Sequence, residues 1–179
     1  MAAPNKSILE RIKAFAFDVD GVMTDGGILC DLEGQLYRNF DAKDGFAVRM
    51  ATMNGYPVAV ITGGRSGSIC ERFRSCGVPE DDVYLGSRDK IADFNDFCRK
   101  YSLRAEEVMY FGDDIPDIET IIAAGIGVCP SDAVEEVKSS ADWISDFPGG
   151  KGCIRDAFER TMKASGRWIF DAADYKKRF

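Results

Sequence analysis

The sequence predicts an α/β fold in which amphipathic helices cover a parallel β-sheet. Short apolar segments rich in β-branched and aromatic residues recur along the chain, helical patterns separate them, and glycines end several of those patterns. This alternation is typical of βαβ units, in which a helix returns the chain to the start of the next parallel strand. With 179 residues, the chain is expected to form one domain over residues 1–179.

The strands are predicted where apolar residues follow one another without interruption, as expected for strands buried on both faces. They are Ala14–Phe17, Val58–Thr62, Val83–Leu85, Val108–Phe111, Ile126–Cys129 and, with a weaker pattern, 143–145. The helices are predicted where apolar residues recur every three or four positions, as Ile69, Phe73 and Cys76 do. They are 44–53, 66–76, 90–101, 116–124, 133–139 and 153–165.

Residues 27–41 break this alternation. An apolar residue occupies every second position from Ile28 to Leu32, Gly34 supplies a turn, and an extended pattern resumes at Leu36. The sequence therefore predicts a β-hairpin insertion. Farther along, the glycine-rich segment 148–152 predicts a flexible joint before the last helix. Residues from about 166 to 179 are predicted to form an amphipathic tail.

Composition excludes several classes of function. The chain has 23 lysines and arginines against 30 aspartates and glutamates, a net charge of −7 without a basic block, so no nucleic-acid partner is expected. The apolar segment nearest the start, Ala14–Phe17, is too short for a signal sequence or a membrane span. The sequence thus predicts a cytoplasmic protein that binds no membrane, with its six cysteines reduced.

Histidine is absent from the sequence. This excludes Ser-His-Asp triads, Cys-His pairs, phosphohistidine chemistry and HExxH zinc sites together. Carboxylates and lysine must therefore carry any chemistry.

Carboxylates follow two of the predicted strands. Asp18 and Asp20 come directly after the first strand, where Gly21 permits the chain to curl so that both side chains approach one ligand. Asp113, Asp114 and Asp117 follow the strand Val108–Phe111. Parallel strands place their carboxyl ends at one sheet edge, and such a concentration of negative charge is costly without a cation.

Two further elements lie at the same predicted edge. The strand ending at Thr62 continues into Gly63 and Gly64 before a helix, which offers a hydroxyl and free backbone N–H groups to a phosphate. Lys90 begins another helix. Taken alone, the first is an ordinary strand-to-helix turn, and a lone lysine is usually a solvated surface charge.

In this order, DxDG, Thr-Gly, an isolated lysine and GDDxxD resemble the four signature motifs of the haloacid dehalogenase superfamily. The resemblance covers residues 14 to about 129 and implies a Rossmann-like three-layer core. It also implies that Asp18 is the nucleophile that forms an aspartyl-phosphate and that Asp20 is the general acid and base.

The resemblance assigns the remaining motif residues to phosphate and metal. Thr62, Gly63 and Lys90 would hold the phosphoryl oxygens. Mg²⁺ would bind the Asp18 side chain, the Asp20 backbone carbonyl and Asp113, and Asp114 or Asp117 would support that shell and orient Lys90.

Spacing leaves no room for a cap domain. Forty-one residues lie between Asp20 and Thr62 and 27 between Thr62 and Lys90, and the hairpin and core elements fill both intervals. The capless pattern, with KDGFAVR at 43–49 and GGKGCIRD at 149–156, is similar to the 3-deoxy-D-manno-octulosonate 8-phosphate phosphatase family. That resemblance implies a sugar-acid phosphate substrate in lipopolysaccharide synthesis, a homotetramer built around the hairpins, and a site closed by a neighbour's C-terminal segment.

Two departures from the family pattern affect the substrate-binding residues. Many members have TGR where this chain has Thr62 to Arg65, and GGRG where it has GGKG. Gly64, Arg65 and Lys151 are still expected to bind substrate, although lysine lacks the bidentate fork of arginine. Related nonulosonate 9-phosphate phosphatases tend to carry an acidic residue at the position of Gly64, which favours the octulosonate.

Other functions stay open at the level of sequence. The chain could hydrolyse a nonulosonate 9-phosphate or many sugar phosphates, serve only as an oligomeric scaffold, or act beside a sugar-activating enzyme. The C-x5-R spacing from Cys98 to Arg104 is not expected to form a cysteine-phosphatase loop, because Cys98 lies inside a helical pattern, where a buried thiol keeps a high pKa.

Overall fold

The computed structural model describes residues 2–177, which contain a six-stranded parallel sheet and a separate two-stranded antiparallel hairpin. The strands are β1 (Ala14–Phe17), β2 (Leu29–Cys30), β3 (Leu36–Tyr37), β4 (Val58–Thr62), β5 (Val83–Leu85), β6 (Val108–Phe111), β7 (Ile126–Cys129) and β8 (Trp143–Ile144). The large sheet has the order β5-β4-β1-β6-β7-β8. The predicted α/β class and parallel sheet are confirmed, and only the last strand ends one residue early.

Helices cover both faces of the sheet. They are α1 (Lys6–Leu9), α2 (Ala42–Met53), α3 (Gly67–Ser75), α4 (Lys90–Lys100), α5 (Ile118–Ala123), α6 (Glu135–Ser140), α7 (Cys153–Ala164) and α8 (Ala172–Lys177). Alternate β1 side chains serve the two faces: Phe15 and Phe17 pack with α2, α3 and α7, whereas Ala14 and Ala16 pack with α4 and α6. This is the predicted three-layer core, and no cap domain interrupts residues 2–177.

Helix α7 belongs to the centre of this core. Its Phe158 ring stacks on Phe15 with 3.8 Å between centroids and lies 5.7 Å from the Phe111 ring. The predicted flexible joint before α7 is wrong. Gly149 and Gly150 are buried, and a Cβ at Gly149 would lie 1.9 Å from the Gly21 carbonyl oxygen. These glycines permit close backbone packing of the joint against the loop after β1.

The predicted hairpin is present and is short. The Asp31 carboxylate organises its turn by accepting the Glu33 and Gln35 N–H groups. Its apolar side chains point outward, and Leu29 is 70% exposed and Leu32 fully exposed. The hairpin therefore adds little to the core of its own chain.

The bounds of the predicted helices differ from the observed ones by at most two residues, and the larger differences lie near the ends of the described residues. Helix α1 has no predicted counterpart, and the tail contains the short helix α8. The last two residues of the predicted tail, 178–179, lie outside the described residues. No helix within residues 2–177 is both long and apolar enough to span a membrane. That residues 1–179 form one domain stays a prediction.

Candidate active site

The site lies at the carboxyl edge of the central strands β1, β4 and β6. A cleft of about 430 Å³ opens there, because the loops after these neighbouring strands diverge. Its lining residues are Asp18, Asp20, Gly26, Thr62, Gly63, Gly64, Ser87, Arg88, Lys90, Asp113, Asp114, Pro116 and Asp117. The structure thus brings together every predicted site residue except Arg65 and Lys151.

Lys90 occupies the centre of the buried end of this cleft. Its side chain is only 7% exposed, and Nζ donates to Asp18 Oδ2 and Asp117 Oδ1, both at 2.7 Å. Burial lowers the pKa of Lys90, but the charges of Asp18 and Asp117 outweigh that effect and raise the pKa. The general expectation of a solvated surface lysine does not hold here.

Asp117 contacts Lys90 and several other donors. Its Oδ1 also accepts the Tyr110 hydroxyl at 2.6 Å, and its Oδ2 faces the N–H groups of Asp113 and Asp114 at 3.3 and 3.4 Å. The side chain fits because position 112 is glycine: a Cβ there would lie 2.2 Å from Asp117 Cβ.

Of the two aspartates predicted to support the metal shell and orient Lys90, Asp114 occupies a different position. Asp114 is exposed, and its Oδ1 accepts the Ile115 N–H at 2.8 Å, which begins the turn after β6. Asp114 thus shapes the loop that carries Asp117 rather than contacting the lysine.

The cluster carries more negative charge than Lys90 balances. Burial raises the pKa of Asp18 to about 6, assisted by the charge of Asp117 and opposed by Lys90. Burial also raises the pKa of Asp113 to about 7, assisted by Asp18 and Asp117. In both cases the positive charge of Lys90 does not compensate for burial and for the neighbouring carboxylates.

The residues present fit Mg²⁺. Carboxylate oxygens of Asp18, Asp113 and Asp117 lie within 4.8 Å of one another, and oxygen is the ligand that Mg²⁺ prefers. Asp113 approaches the loop after β1 closely, since a Cβ at Gly21 would lie 1.9 Å from Asp113 Oδ2. Because Asp117 already binds Lys90 and Tyr110, Asp18 and Asp113 are the carboxylates best placed to hold the ion.

We expect the stabilising effect of Mg²⁺ to grow with pH. The unfolded chain ionises these carboxylates near pH 4, whereas the folded chain ionises Asp18 and Asp113 only near 6 and 7, so the metal-free fold loses stability as pH rises between those values. Mg²⁺ compensates that loss. A Mg²⁺ concentration of about 100 times the Kd at pH 8 should raise Tm by roughly 5 to 10 °C at that pH. The same concentration should raise Tm by much less at pH 5, where protons compete with the ion for the carboxylates. Scanning calorimetry with Na⁺ at matched ionic strength checks this, and an equal rise at both pH values would contradict it.

Asp20 has a partner that the sequence did not reveal. Arg38, just after β3, donates from Nε to Asp20 Oδ1 at 2.7 Å and from Nη2 to Asp20 Oδ2 at 2.9 Å. Arg88, in the loop before Lys90, is a second missed residue of the cleft. Neither arginine lies in a signature motif. The only sequence signals were a positive charge at the base of the hairpin, for Arg38, and one close to Lys90, for Arg88.

The predicted phosphate loop is positioned at the cleft. Thr62 is buried, and its Oγ1 accepts the Gly64 N–H at 3.1 Å. The side chains of Arg65 and Lys151 do not line this cleft: the Arg65 side chain passes Gly86, and Lys151 lines a separate cavity of about 450 Å³ against α7.

Comparison with known proteins agrees with this geometry. A family profile described as haloacid dehalogenase-like hydrolase matches residues 82–152. The 3-deoxy-D-manno-octulosonate 8-phosphate phosphatase of Salmonella typhi is 30% identical over 158 residues, which are 88% of this chain and 83% of that protein. The corresponding phosphatase of Haemophilus influenzae is 32% identical over 92% of this chain and 91% of its own length.

A solved structure has the same fold. The 3-deoxy-D-manno-octulosonate 8-phosphate phosphatase of Moraxella catarrhalis, in complex with a magnesium ion, a phosphate ion and the KDO molecule, superimposes with a TM-score of 0.86 at 28% identity, covering 96% of each chain. Together with the buried Asp18–Lys90–Asp117 cluster, these similarities establish that the chain belongs to the 3-deoxy-D-manno-octulosonate 8-phosphate phosphatase family of the haloacid dehalogenase-like hydrolases.

Proposed function

We propose that the chain hydrolyses 3-deoxy-D-manno-octulosonate 8-phosphate to the free sugar acid and phosphate, as a cytoplasmic step in lipopolysaccharide precursor synthesis. The observation that carries the proposal is the buried cluster in which Lys90 bridges Asp18 and Asp117 beside Asp113. This is the set of charges that phosphoryl transfer through a carboxylate nucleophile requires. The substrate is inferred from the phosphatases to which this chain is similar.

The reaction proceeds in two steps on residues of this chain. Asp18 attacks phosphorus, an Asp18 oxygen–phosphorus bond forms, and the bond to the sugar oxygen breaks while Asp20 gives that oxygen a proton. Asp20 then takes a proton from a water molecule, which attacks phosphorus and releases phosphate and the free Asp18 carboxylate. Both aspartates end as they began.

The other residues of the cleft bind and orient. Lys90, the Thr62 hydroxyl and the Gly63 backbone N–H would bind phosphoryl oxygens, and Asp117 holds Lys90 in place. The cofactor is Mg²⁺, which the Asp18 and Asp113 carboxylates and the Asp20 carbonyl would hold. When bound, Mg²⁺ supplies positive charge to the carboxylates and the phosphoryl oxygens.

A substrate panel tests the proposal. We expect the highest kcat/KM for the octulosonate 8-phosphate and lower values for a nonulosonate 9-phosphate. The lowest values are expected for phosphates of sugars that have no carboxylate. Arg88, which lines the cleft, is the cation proposed for that carboxylate, in place of Arg65 and Lys151, which do not line it. A preference for the nine-carbon acid would replace the proposed substrate, and equal values across the panel would indicate a broad phosphatase.

We also propose that the protein assembles as a homotetramer around the hairpins. Leu29, Leu32 and Leu36 expose apolar surface on a hairpin that is largely unsupported by its own chain, and such surface usually marks an interface. Light scattering after size exclusion tests this: the wild type should have four times the chain mass, and Leu32→Lys should lower it. A monomeric wild type would contradict the proposal.

Removing residues 169–179 is expected to raise KM for the sugar-acid phosphate several-fold with only a small fall in Tm. In the family resemblance, a neighbour's C-terminal segment closes the open site. Within one chain, the described part of this segment lies on α2, where Phe170 and Tyr175 pack against Phe46 with ring centroids 6.1 and 6.2 Å apart. The cut must follow Trp168, because a cut after Phe147 would remove α7 from the core. Phe46→Ala is the control for loss of the intrachain contact, and an unchanged KM would show that the tail does not close the site.

A further inference from the structure

The general acid and base of the proposed reaction is held by a residue outside the signature motifs. Arg38 reaches Asp20 with two parallel hydrogen bonds, from Nε and Nη2 to the two carboxylate oxygens. The Arg38 side chain is 3% exposed, whereas that of Asp20 is 28% exposed. A bidentate fork fixes both the distance and the plane of a carboxylate, which a single hydrogen bond does not.

We propose that Arg38 is the positioning residue for Asp20, so that the base of the β-hairpin sets the orientation of the acid–base carboxylate. Among residues 2–177, the Asp20 carboxylate has no hydrogen-bond partner other than Arg38. Asp18, two residues earlier, is held independently by the Val19 N–H at 2.6 Å and by Lys90. Loss of Arg38 therefore frees Asp20 while leaving the nucleophile in place.

The surroundings of Arg38 favour this geometry over mere packing. A Cβ at Gly64 would lie 3.1 Å from Arg38 Nη2 and 2.9 Å from Ile69 Cδ1, so glycine leaves the space that the guanidinium occupies. Arg38 Nη1 is buried without a hydrogen-bond partner in the described part of the chain. An unpaired buried N–H is unfavourable for stability, so stability alone does not account for the burial of this guanidinium.

The hairpin connects this contact to the outside of the molecule. Arg38 immediately follows β3, and the exposed Leu29 and Leu36 belong to the paired strands of the same hairpin. Arg38 is not among the residues that line the cleft. It acts through Asp20, and a shift of about 1 Å in such a group can reduce the rate about 100-fold.

The leaving group provides a direct test, and this inference rests on the proposed function. An alkyl sugar phosphate needs a proton on its departing oxygen, whereas 4-nitrophenyl phosphate releases a stable anion and does not. Arg38→Met should lower kcat/KM for the sugar phosphate by about 100-fold and for the aryl phosphate only a few-fold. Arg38→Lys, which restores the charge without the fork, should lie between Arg38→Met and the wild type. The exposed Arg74→Met is the control and should change neither value.

A double-variant comparison isolates the contact. With Asp20→Asn as the starting protein, Arg38→Met should cause no further loss of kcat/KM for the sugar phosphate. An equal loss on both substrates, or an additive loss in the double variant, would overturn the positioning role and leave a structural one.

The proposed substrate is tested separately on the wild type. If it prefers another sugar phosphate, that compound replaces the octulosonate in the Arg38 comparison, and a wild type inactive on both classes overturns the proposed function itself.

Discussion

Replacing Asp18 by asparagine is expected to reduce kcat on the order of 10⁴-fold or more while leaving the fold intact. An amide oxygen is too weak a nucleophile to form the bond to phosphorus. The fold should tolerate the change, because the amide oxygen of the new side chain can still accept the Val19 N–H and Lys90 keeps its contact with Asp117. Steady-state kinetics with the sugar phosphate, beside a circular dichroism melt, measures both effects.

The sign of the stability change adds a second check on Asp18→Asn. Burial raises the pKa of Asp18 to about 6, so the ionised carboxylate destabilises the metal-free fold above that pH. The Tm of the variant at pH 8 should therefore equal or exceed that of the wild type without Mg²⁺. Asp96→Asn, which removes an exposed carboxylate on α4, is the matched control and should retain full activity. Turnover by Asp18→Asn near the wild-type rate would exclude the nucleophile role.

Replacing Lys90 by methionine is expected to affect both activity and stability. The change leaves Asp18 and Asp117 buried at the position where Nζ contacted each of them at 2.7 Å. Removing one partner of a buried ion pair costs about 3–5 kcal/mol, which corresponds to a fall in Tm of about 10 °C for a chain of this size. Loss of a charge at the phosphoryl group should also lower kcat on the order of 10³-fold.

The pH dependence distinguishes this electrostatic cause from lost packing. At pH 5 Asp18 can take up a proton, so the fall in Tm should be smaller there than at pH 8. Lys100→Met is the matched control, because Lys100 also contacts a buried aspartate, Asp82, which keeps its hydrogen bond from Tyr101. It should leave activity unchanged. A fall in Tm for Lys90→Met that is equal at both pH values would point to packing.

Much of the candidate site was predictable because its residues stand at fixed places in a parallel sheet. Asp18 and Asp113 directly follow apolar strands or their terminal glycine, and strands of one direction place such residues at one edge. Because the sequence contains no histidine, carboxylates and lysine were the side chains expected to carry the catalysis. The order of the motifs then identified the superfamily, and the short intervals between them excluded a cap.

Contacts between residues far apart in sequence could not be predicted in the same way. Local pattern describes what a residue does to its own helix or strand, and a lysine at a helix start has the same pattern whether it faces water or two carboxylates. The burial of Lys90 follows from packing α4 beside β4 so that Asp18 and Asp117 converge on one amine. The glycines before α7 likewise have the composition of a flexible joint, and only the approach of Gly149 to Gly21 shows that they pack closely.

The sequence by itself determined the strand and helix order, the hairpin, the absence of histidine chemistry and the carboxylate and lysine motifs, because periodicity and residue type act locally. The tertiary structure decided which charges meet: Asp117 rather than Asp114 on Lys90, Arg38 on Asp20, and Lys151 outside the cleft. Hydrogen bonds and ion pairs depend on ångström-scale distances between segments, and packing of the sheet and hairpin sets those distances.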